Sequence, residues 1–239
     1  MQYLGGKSRI AKDIVRIMSA ERAPNMPWVE HFMGSAKVIS LVRGRRIGSD
    51  VNLEMIDLFK ALRDGWEPPS EVTKDFYNEV KSNQHKYPNH LKAFLSIGCS
   101  FGGIRWDSYA KNSRGTNYAK DAKRSLIKLE PKIRDVELYS TDYKLLDIPD
   151  HSLIYCDPPY ANTAGYGFEF NHEEFYSWCR DKVAEGHYLF VSEYDMPDDF
   201  ELIWEKEVSV SLSLTSKGLR KKERLYRLHK KPAFSLSMY

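Results

Sequence analysis

The sequence predicts a wound α/β sheet interrupted by an inserted, mainly helical lobe. Three observations carry this. β-like runs alternate with helical repeats near both ends of the chain, as in a wound sheet. The stretch between about 65 and 131 is instead rich in Lys, Asn, Ser, Tyr and Arg, and its ordered patches are helical. Finally, the apolar run Leu153-Ile154-Tyr155-Cys156 delivers Asp157-Pro158-Pro159-Tyr160 beyond the end of a buried strand. Open α/β sheets hold their ligands there, and an acid, two rigid prolines and an aromatic face suit a planar substrate such as a nucleobase.

Taken in order, Ile10, Ile14, Ile17 and Met18 recur at helical spacing within 7–19, just after Gly5-Gly6. Trp28-Val29-Glu30 reads as a strand, Gly34 opens a turn, 36–42 reads as helical, and Ile47-Gly48-Ser49-Asp50 is a second strand. A helix over 52–63 ends near Gly65, and Pro68-Pro69 marks a junction. Helical patches follow at 71–81, 90–96 and 120–129, with a break at Pro131. Strands are then expected at 136–140, 153–156 and 188–193, with a helix over 173–184. The alternation in 200–213 and 224–228 predicts a terminal hairpin adding antiparallel strands to one edge. The expected domains are 1–64 with 132–239, and the insertion 65–131.

At 239 residues the chain can bury a substantial core. It has neither an apolar run of membrane-spanning length nor a secretory leader, and is expected to be soluble and cytoplasmic; its short, compact form is compatible with a bacterial or phage origin. Cys99, Cys156 and Cys179 lie far apart without CxxC spacing or a nearby histidine pair, so they read as reduced, mostly buried thiols rather than zinc ligands. No metal is expected. A net charge of +3 does not by itself imply a polyanion partner, although Arg43-Gly44-Arg45-Arg46 and Arg220-Lys221-Lys222 are local basic clusters.

The segment Glu30-His31-Phe32-Met33-Gly34-Ser35-Ala36 follows a strand and lets backbone turn closely under a ligand, with Glu30 placed to meet a cation. Asp50 ends the next strand, where an acid in a nucleotide-binding fold accepts hydrogen bonds from ribose hydroxyls. By itself the turn is equally an ordinary strand-to-helix connection, and Asp50 equally a cap for the following helix. The three-glycine dinucleotide fingerprint and the GxxxxGK[ST] phosphate loop are both missing.

With Asp157-Pro158-Pro159-Tyr160 added, the chain resembles amino-methyltransferases that use S-adenosylmethionine, most closely the Dam-like DNA adenine N6-methyltransferases of the D12 type. Tyr3-Leu4-Gly5-Gly6-Lys7 is similar to their amino-terminal cofactor motif, 30–36 to their glycine turn, Asp50 to their ribose acid and Thr141-Asp142-Tyr143 to their adenine-holding segment. The motifs run in the family's order. The resemblance implies a Rossmann-like sheet, S-adenosyl-L-methionine as cofactor, and a pocket lined by Tyr3 and Lys7 with Phe32 and Gly34 as its floor. It also implies that Asp142 binds the adenine amine and Tyr143 flanks the ring. Two positions depart from the pattern: His31 stands for the usual proline, and Ala36 for a second glycine.

An exocyclic adenine amine is a poor nucleophile because its lone pair is delocalised. Asp157 can accept one N6 hydrogen and the Pro158 carbonyl the other, directing that lone pair at a methyl donor, while Pro159 stiffens the loop and Tyr160 faces the base. The base must leave the duplex first. The expected reader of double-stranded DNA is the insertion, where Arg105, Trp106, Tyr109 and Lys111 are followed by Asn112, Arg114, Asn117 and Tyr118 around a hairpin tip at Ser113-Arg114-Gly115. Residues 162–170, with Gly165 and Gly167, read as a flap or an ordinary connection. Cytosine N4 or RNA methylation, protein-glutamine methylation and a silent DNA-binding module are the competing readings.

Overall fold

A computed structural model describes residues 1, 3, 5–112, 115–159, 170–209 and 220–229. Two compact units emerge, one of Met1–Glu21 with Glu30–Leu146, the other of Arg22–Val29 with Asp147–Tyr239.

In the first unit, α1 (Ala11–Ser19) buries Ala11, Ile14 and Met18 along one stripe. It starts later than the apolar spacing suggests, because the Lys7 carbonyl accepts the amides of Ile10 and Ala11 in a preceding turn. β1 (Trp28–His31) is buried at every position and belongs half to each unit. The helix expected over 36–42 shrinks to a 3-10 turn at Ile39–Leu41. Ala36 has φ 57°, left-handed backbone that cannot belong to a right-handed helix. β2 (Arg46–Asp50) leads to Asn52, whose side chain accepts the Met55 amide and caps α2 (Leu53–Arg63).

Thr73 and Asn117 cap α3 (Lys74–Ser82) and α5 (Tyr118–Ile133) in the same way. Between them, α4 (Asn89–Ala93) continues as a buried π-helical stretch, Phe94–Gly98. β3 (Glu137–Ser140) then pairs parallel with β2. The described residues of 65–131, the stretch expected as an insertion, are mainly helical, and α4 and α5 pack on α2.

Pro131 does not end α5, which runs on to Ile133. A proline in the last turn forfeits one hydrogen bond, and the helix needs only two further residues. The orphan carbonyl of Lys132 is taken by Arg46 Nη1 at 2.7 Å, which also reaches the Ile39 carbonyl at 3.1 Å. Arg46 is thus a buried strut, and Arg45 pairs with Glu137, so this basic cluster is largely committed within the fold.

In the second unit, β4 (Leu153–Cys156) is fully buried, and the Leu153 amide donates to the Pro27 carbonyl at 2.9 Å. α6 (His172–Ala184), capped by Asn171, leads to β5 (Tyr188–Ser192), parallel to β4. β6 (Phe200–Ser209) and β7 (Arg220–Leu228) pair antiparallel, and β7 lies against β5. The seven-stranded sheet has the order β3-β2-β1-β4-β5-β7-β6. This is the expected wound α/β architecture with an antiparallel edge. Edge strand β6 carries Glu201, Glu205, Lys206 and Glu207, charges that discourage edge-to-edge pairing. Glu205 and Glu207 hold Lys222, Arg224 and Arg220, which accounts for much of the second basic cluster.

All three cysteines are free and buried, and burial pushes the Cys99 thiol up to about 12. Among the described residues no helix is long and apolar enough to cross a membrane.

Arg46 makes a prediction. Its side chain is 5% exposed, whereas its ionic partner Asp135 is 70% exposed and contributes little by charge alone. Arg46→Ala leaves two carbonyls without that donor, at about 1–3 kcal/mol each. Urea denaturation is expected to show a loss of roughly 2–4 kcal/mol for Arg46→Ala and under about 1 kcal/mol for Asp135→Ala. Equal losses would reassign the energy to the ion pair.

Candidate cofactor and catalytic sites

The first unit assembles most of the residues expected at a cofactor. Directly after β1, Phe32 has φ 56° and Gly34 φ 45°, so the chain folds back sharply instead of entering a helix. The Asp50 carboxylate at the end of β2 fixes this turn. Its Oδ2 accepts the Gly34 amide at 2.8 Å and its Oδ1 accepts the Asn52 amide at 2.9 Å. Asn52, rather than Asp50, caps α2. Burial raises the Asp50 pKa above its ordinary 3.8, and the two amides pull it partly back.

Tyr3 lies over Gly34: a Cβ there would stand 3.0 Å from Tyr3 Cε1. The Phe32 and Tyr143 rings are 5.4 Å apart and tilted by 41°. The Thr141 amide donates to the Asp50 carbonyl at 3.2 Å, which ties this segment to the end of β2. Asp142 Oδ1 accepts the Lys144 amide. Lys7 and Glu30 are both buried. Tyr3, Phe32, Gly34, Asp50 and Tyr143 are thus linked to one another by contacts or through the 141–143 segment.

The two departures from the family pattern have physical readings. His31 Nδ1 meets Ser49 Oγ at 2.8 Å, a buried bond between β1 and β2 that proline could not make. Ala36 adopts the left-handed backbone that glycine would take without strain.

In the second unit Asp157-Pro158-Pro159 extends β4, with Pro158 buried and the other two half-buried. Tyr160 and most of the expected flap, with Gly165 and Gly167, lie outside the described residues. Sequence reasoning missed the matching tip of β5. Leu189-Phe190-Val191 runs into Ser192-Glu193 just as 153–156 runs into Asp157, and Cys156 pairs with Val191 in register. Ser192 Oγ and the Tyr155 hydroxyl are 2.8 Å apart, and Glu193, 1% exposed, accepts the Tyr194 amide at 2.7 Å.

The expected DNA-contacting residues divide. Arg105 reaches both Glu54 oxygens at 3.0 Å while staying half exposed, and Lys111 is exposed. Trp106 is 8% exposed with its ring 5.3 Å from Tyr77, so it supports the lobe's interior instead of presenting a free face. Tyr109 donates to the Val72 carbonyl, and Asn117 caps α5 and donates to the Ser70 carbonyl. Asn112 holds Thr116 and Tyr118. Ser113 and Arg114 lie outside the described residues. Among the described residues no group of three or more His, Cys, Asp or Glu could hold a metal ion.

Gly34→Ala is expected to lower stability by about 1–2 kcal/mol from backbone strain, with a further steric loss that Tyr3→Ala relieves in the double variant. At Ala36 the terms offset: glycine gains roughly 1–2 kcal/mol in strain but loses ~0.5–1 in chain entropy and about 0.8 in buried methyl. Ala36→Gly is therefore expected within about 1 kcal/mol of the parent by urea denaturation. A large change in either direction would refute this balance.

The profile of a family described as "D12 class N6 adenine-specific DNA methyltransferase" matches residues 3–192. No curated protein sequence matches the chain. Among solved structures it is similar to SMU.472, a candidate methyltransferase complexed with SAH, with a TM-score of 0.36 and 12% identity. That match covers 95% of this chain and 55% of the other, so the chain spans little more than half its length. On the family match, the chain belongs to the D12 class of N6 adenine-specific DNA methyltransferases.

Proposed function

We propose that the chain transfers a methyl group from S-adenosylmethionine to N6 of an adenine flipped out of double-stranded DNA, within a particular sequence. The observation that carries this is the family match over residues 3–192, which takes in both the Tyr3–Gly34–Asp50 cluster and the Asp157-Pro158-Pro159-Tyr160 stretch. Residues 1–64 and 132–239 form the catalytic domain in this reading, and 65–131 recognise the target.

The first unit's residues fit the adenosine portion of such a cofactor. Asp50 spends one lone pair of each oxygen on an amide, which leaves acceptor capacity for ribose hydroxyls. Phe32 and Tyr143 offer aromatic faces to a ring, Asp142 an acceptor to its amine, and Tyr3, Lys7 and Glu30 close the wall. The bound cofactor supplies a methyl on a sulfonium, already activated for transfer.

Asp157 and the Pro158 carbonyl then each accept one N6 hydrogen, so the amine's lone pair leaves conjugation and points at the methyl. As the N–C bond forms the methyl's C–S bond breaks and the thioether S-adenosylhomocysteine leaves; positive charge developing on nitrogen is stabilised by the same carboxylate until one N6 proton passes to Asp157 or solvent. The prolines hold that geometry, and the role assigned to Tyr160, which lies outside the described residues, is to offer the base an aromatic face. Flipping costs about a few kcal/mol, offset by contacts from the insertion.

Two outcomes test this. Asp157→Ala is expected to abolish methyl transfer to DNA while leaving thermal unfolding near the parent's. The assay incubates labelled cofactor with DNA, RNA or protein, then identifies the product by digestion and mass spectrometry. N6-methyladenine from DNA is expected. N4-methylcytosine, or product only from RNA or protein, would overturn the reading.

The second outcome concerns pH. Hydroxyl donors favour the ionised Asp50, whose pKa in the free protein is raised, so binding lowers that pKa and expels a proton. Affinity for S-adenosylhomocysteine should hold at higher pH and fall as pH drops through a midpoint above 3.8. Asp50→Asn should remove this dependence. Calorimetry that gave parallel profiles for both proteins would exclude Asp50 as the ribose acceptor.

A further inference from the structure

We propose that Glu54 governs DNA binding by competing with the phosphate backbone for Arg105, a latch that the duplex must open. This rests on the DNA reading above and assigns a role to a carboxylate outside the set expected from sequence. Arg105 lies in a small hairpin whose backbone is firmly held. The Phe101 amide donates to the Ser108 carbonyl at 2.9 Å and the Ala110 amide to the Cys99 carbonyl at 2.8 Å. The Tyr77 hydroxyl meets Ser100 Oγ at 2.6 Å, and the Trp106 amide, directly after Arg105, donates to the Ser96 carbonyl at 2.9 Å. The backbone of Arg105 is thereby fixed, and only its long side chain has room to swing.

Glu54 offers that side chain a fixed post. It stands in the first turn of α2, where an acid favours the helix terminus and where Asn52 holds the cap. One Arg105 nitrogen, Nη2, donates to both Glu54 oxygens at 3.0 Å. Two edges of a guanidinium can fork a phosphate, Nε with Nη2 and Nη1 with Nη2, and both include the nitrogen that Glu54 occupies. A two-pronged phosphate contact therefore requires Arg105 to leave the carboxylate.

Release costs little on either side. Arg105 is 47% exposed, and an ion pair so open to water contributes little. Glu54 is only 15% exposed, but Lys92 Nζ stands 3.5 Å from its Oε1 and remains to neutralise it. The carboxylate thus faces two cations and needs one to avoid an uncompensated charge. Around the hairpin, Lys81 donates to the Asp107 carbonyl at 3.0 Å and Lys111 is exposed, so a polyanion meets further cations there.

The methylated sequence is first located by sequencing plasmid DNA treated with the parent enzyme. A fluorescein-labelled duplex carrying that sequence is then titrated, with S-adenosylhomocysteine present and at about 0.1 M salt, against the parent, Glu54→Gln, Arg105→Gln and the double variant. Anisotropy is expected to show about 2–5-fold tighter binding for Glu54→Gln, the size of an exposed ion pair released. Arg105→Gln should bind more weakly than the parent, and in that background Glu54→Gln should change nothing. In the parent itself, the Arg105 guanidinium nitrogen NMR signals, assigned by their loss in Arg105→Gln, should move when the duplex is added.

Unchanged binding by Glu54→Gln would overturn the latch, and so would weaker binding, which would make Glu54 an organiser of Arg105 for DNA. Equal tightening with and without Arg105 would also overturn it, because removing any carboxylate near DNA does the same through its long-range field. Guanidinium signals that stay in place at saturation would have the same consequence. If the parent neither binds nor methylates DNA, the DNA reading fails, and the latch with it.

Discussion

The Asp50 carboxylate is the constraint on which the first unit's site depends. It grips the Gly34 amide with one oxygen and the Asn52 amide with the other, so the turn after β1 and the entry to α2 are held by a single side chain. Without it, a run of left-handed residues at 32, 34 and 36 would be held chiefly by the Met33–Ser49 and Ala36–Met33 backbone bonds. The strain of that turn is tolerable because the strands on either side are buried and fixed. The group that makes the turn possible is also buried there, and this burial raises its pKa above the ordinary Asp value.

Much of the sheet was legible in sequence because buried strands declare themselves. Leu153-Ile154-Tyr155-Cys156 and Tyr188 onward are apolar runs bounded by polar tips, and both are strands. The caps were not read: helices were expected over 52–63, 71–81, 120–129 and 173–184, whereas Asn52, Thr73, Asn117 and Asn171 each stand just outside a helix and accept an amide from its first turn. What could not be read was backbone set by distant parts of the chain. Nothing in 36–42 announces that Ala36 will be left-handed, and nothing around Pro131 announces that Arg46, far away in sequence, will take the carbonyl exposed behind it.

The candidate site was legible in the same uneven way. Residues whose chemistry is local, such as Asp50 at a strand end, stand where the pattern put them. In the insertion, composition singled out aromatics and amides without saying which way they face. Trp106 and Tyr109 support Tyr77 and the Val72 carbonyl, and Asn117 caps a helix, although each has the chemistry of a base reader. Burial decides between the two uses, and burial is a property of the whole lobe. Glu193 was missed for the converse reason: an acid at the end of an apolar run looks like a strand terminator unless the parallel register to β4 is known.

That register matters for the chemistry at Asp157. A carboxylate that must hold a nucleophilic amine in one orientation needs a base that does not move, and loop tips are mobile by default. Here the restriction comes from both sides of the tetrapeptide's start. Before it, β4 is fully buried and paired with β5, with Tyr155 tied to Ser192. After it, Pro158 and Pro159 fix two successive φ angles and Pro158 is itself buried. β5 is restrained in turn by antiparallel pairing to β7, where Arg224 and Tyr226 both donate to the Tyr194 carbonyl just beyond Glu193. The antiparallel edge therefore does more than finish the sheet: it stiffens the strand end that lies level with Asp157, the residue proposed to hold the amine.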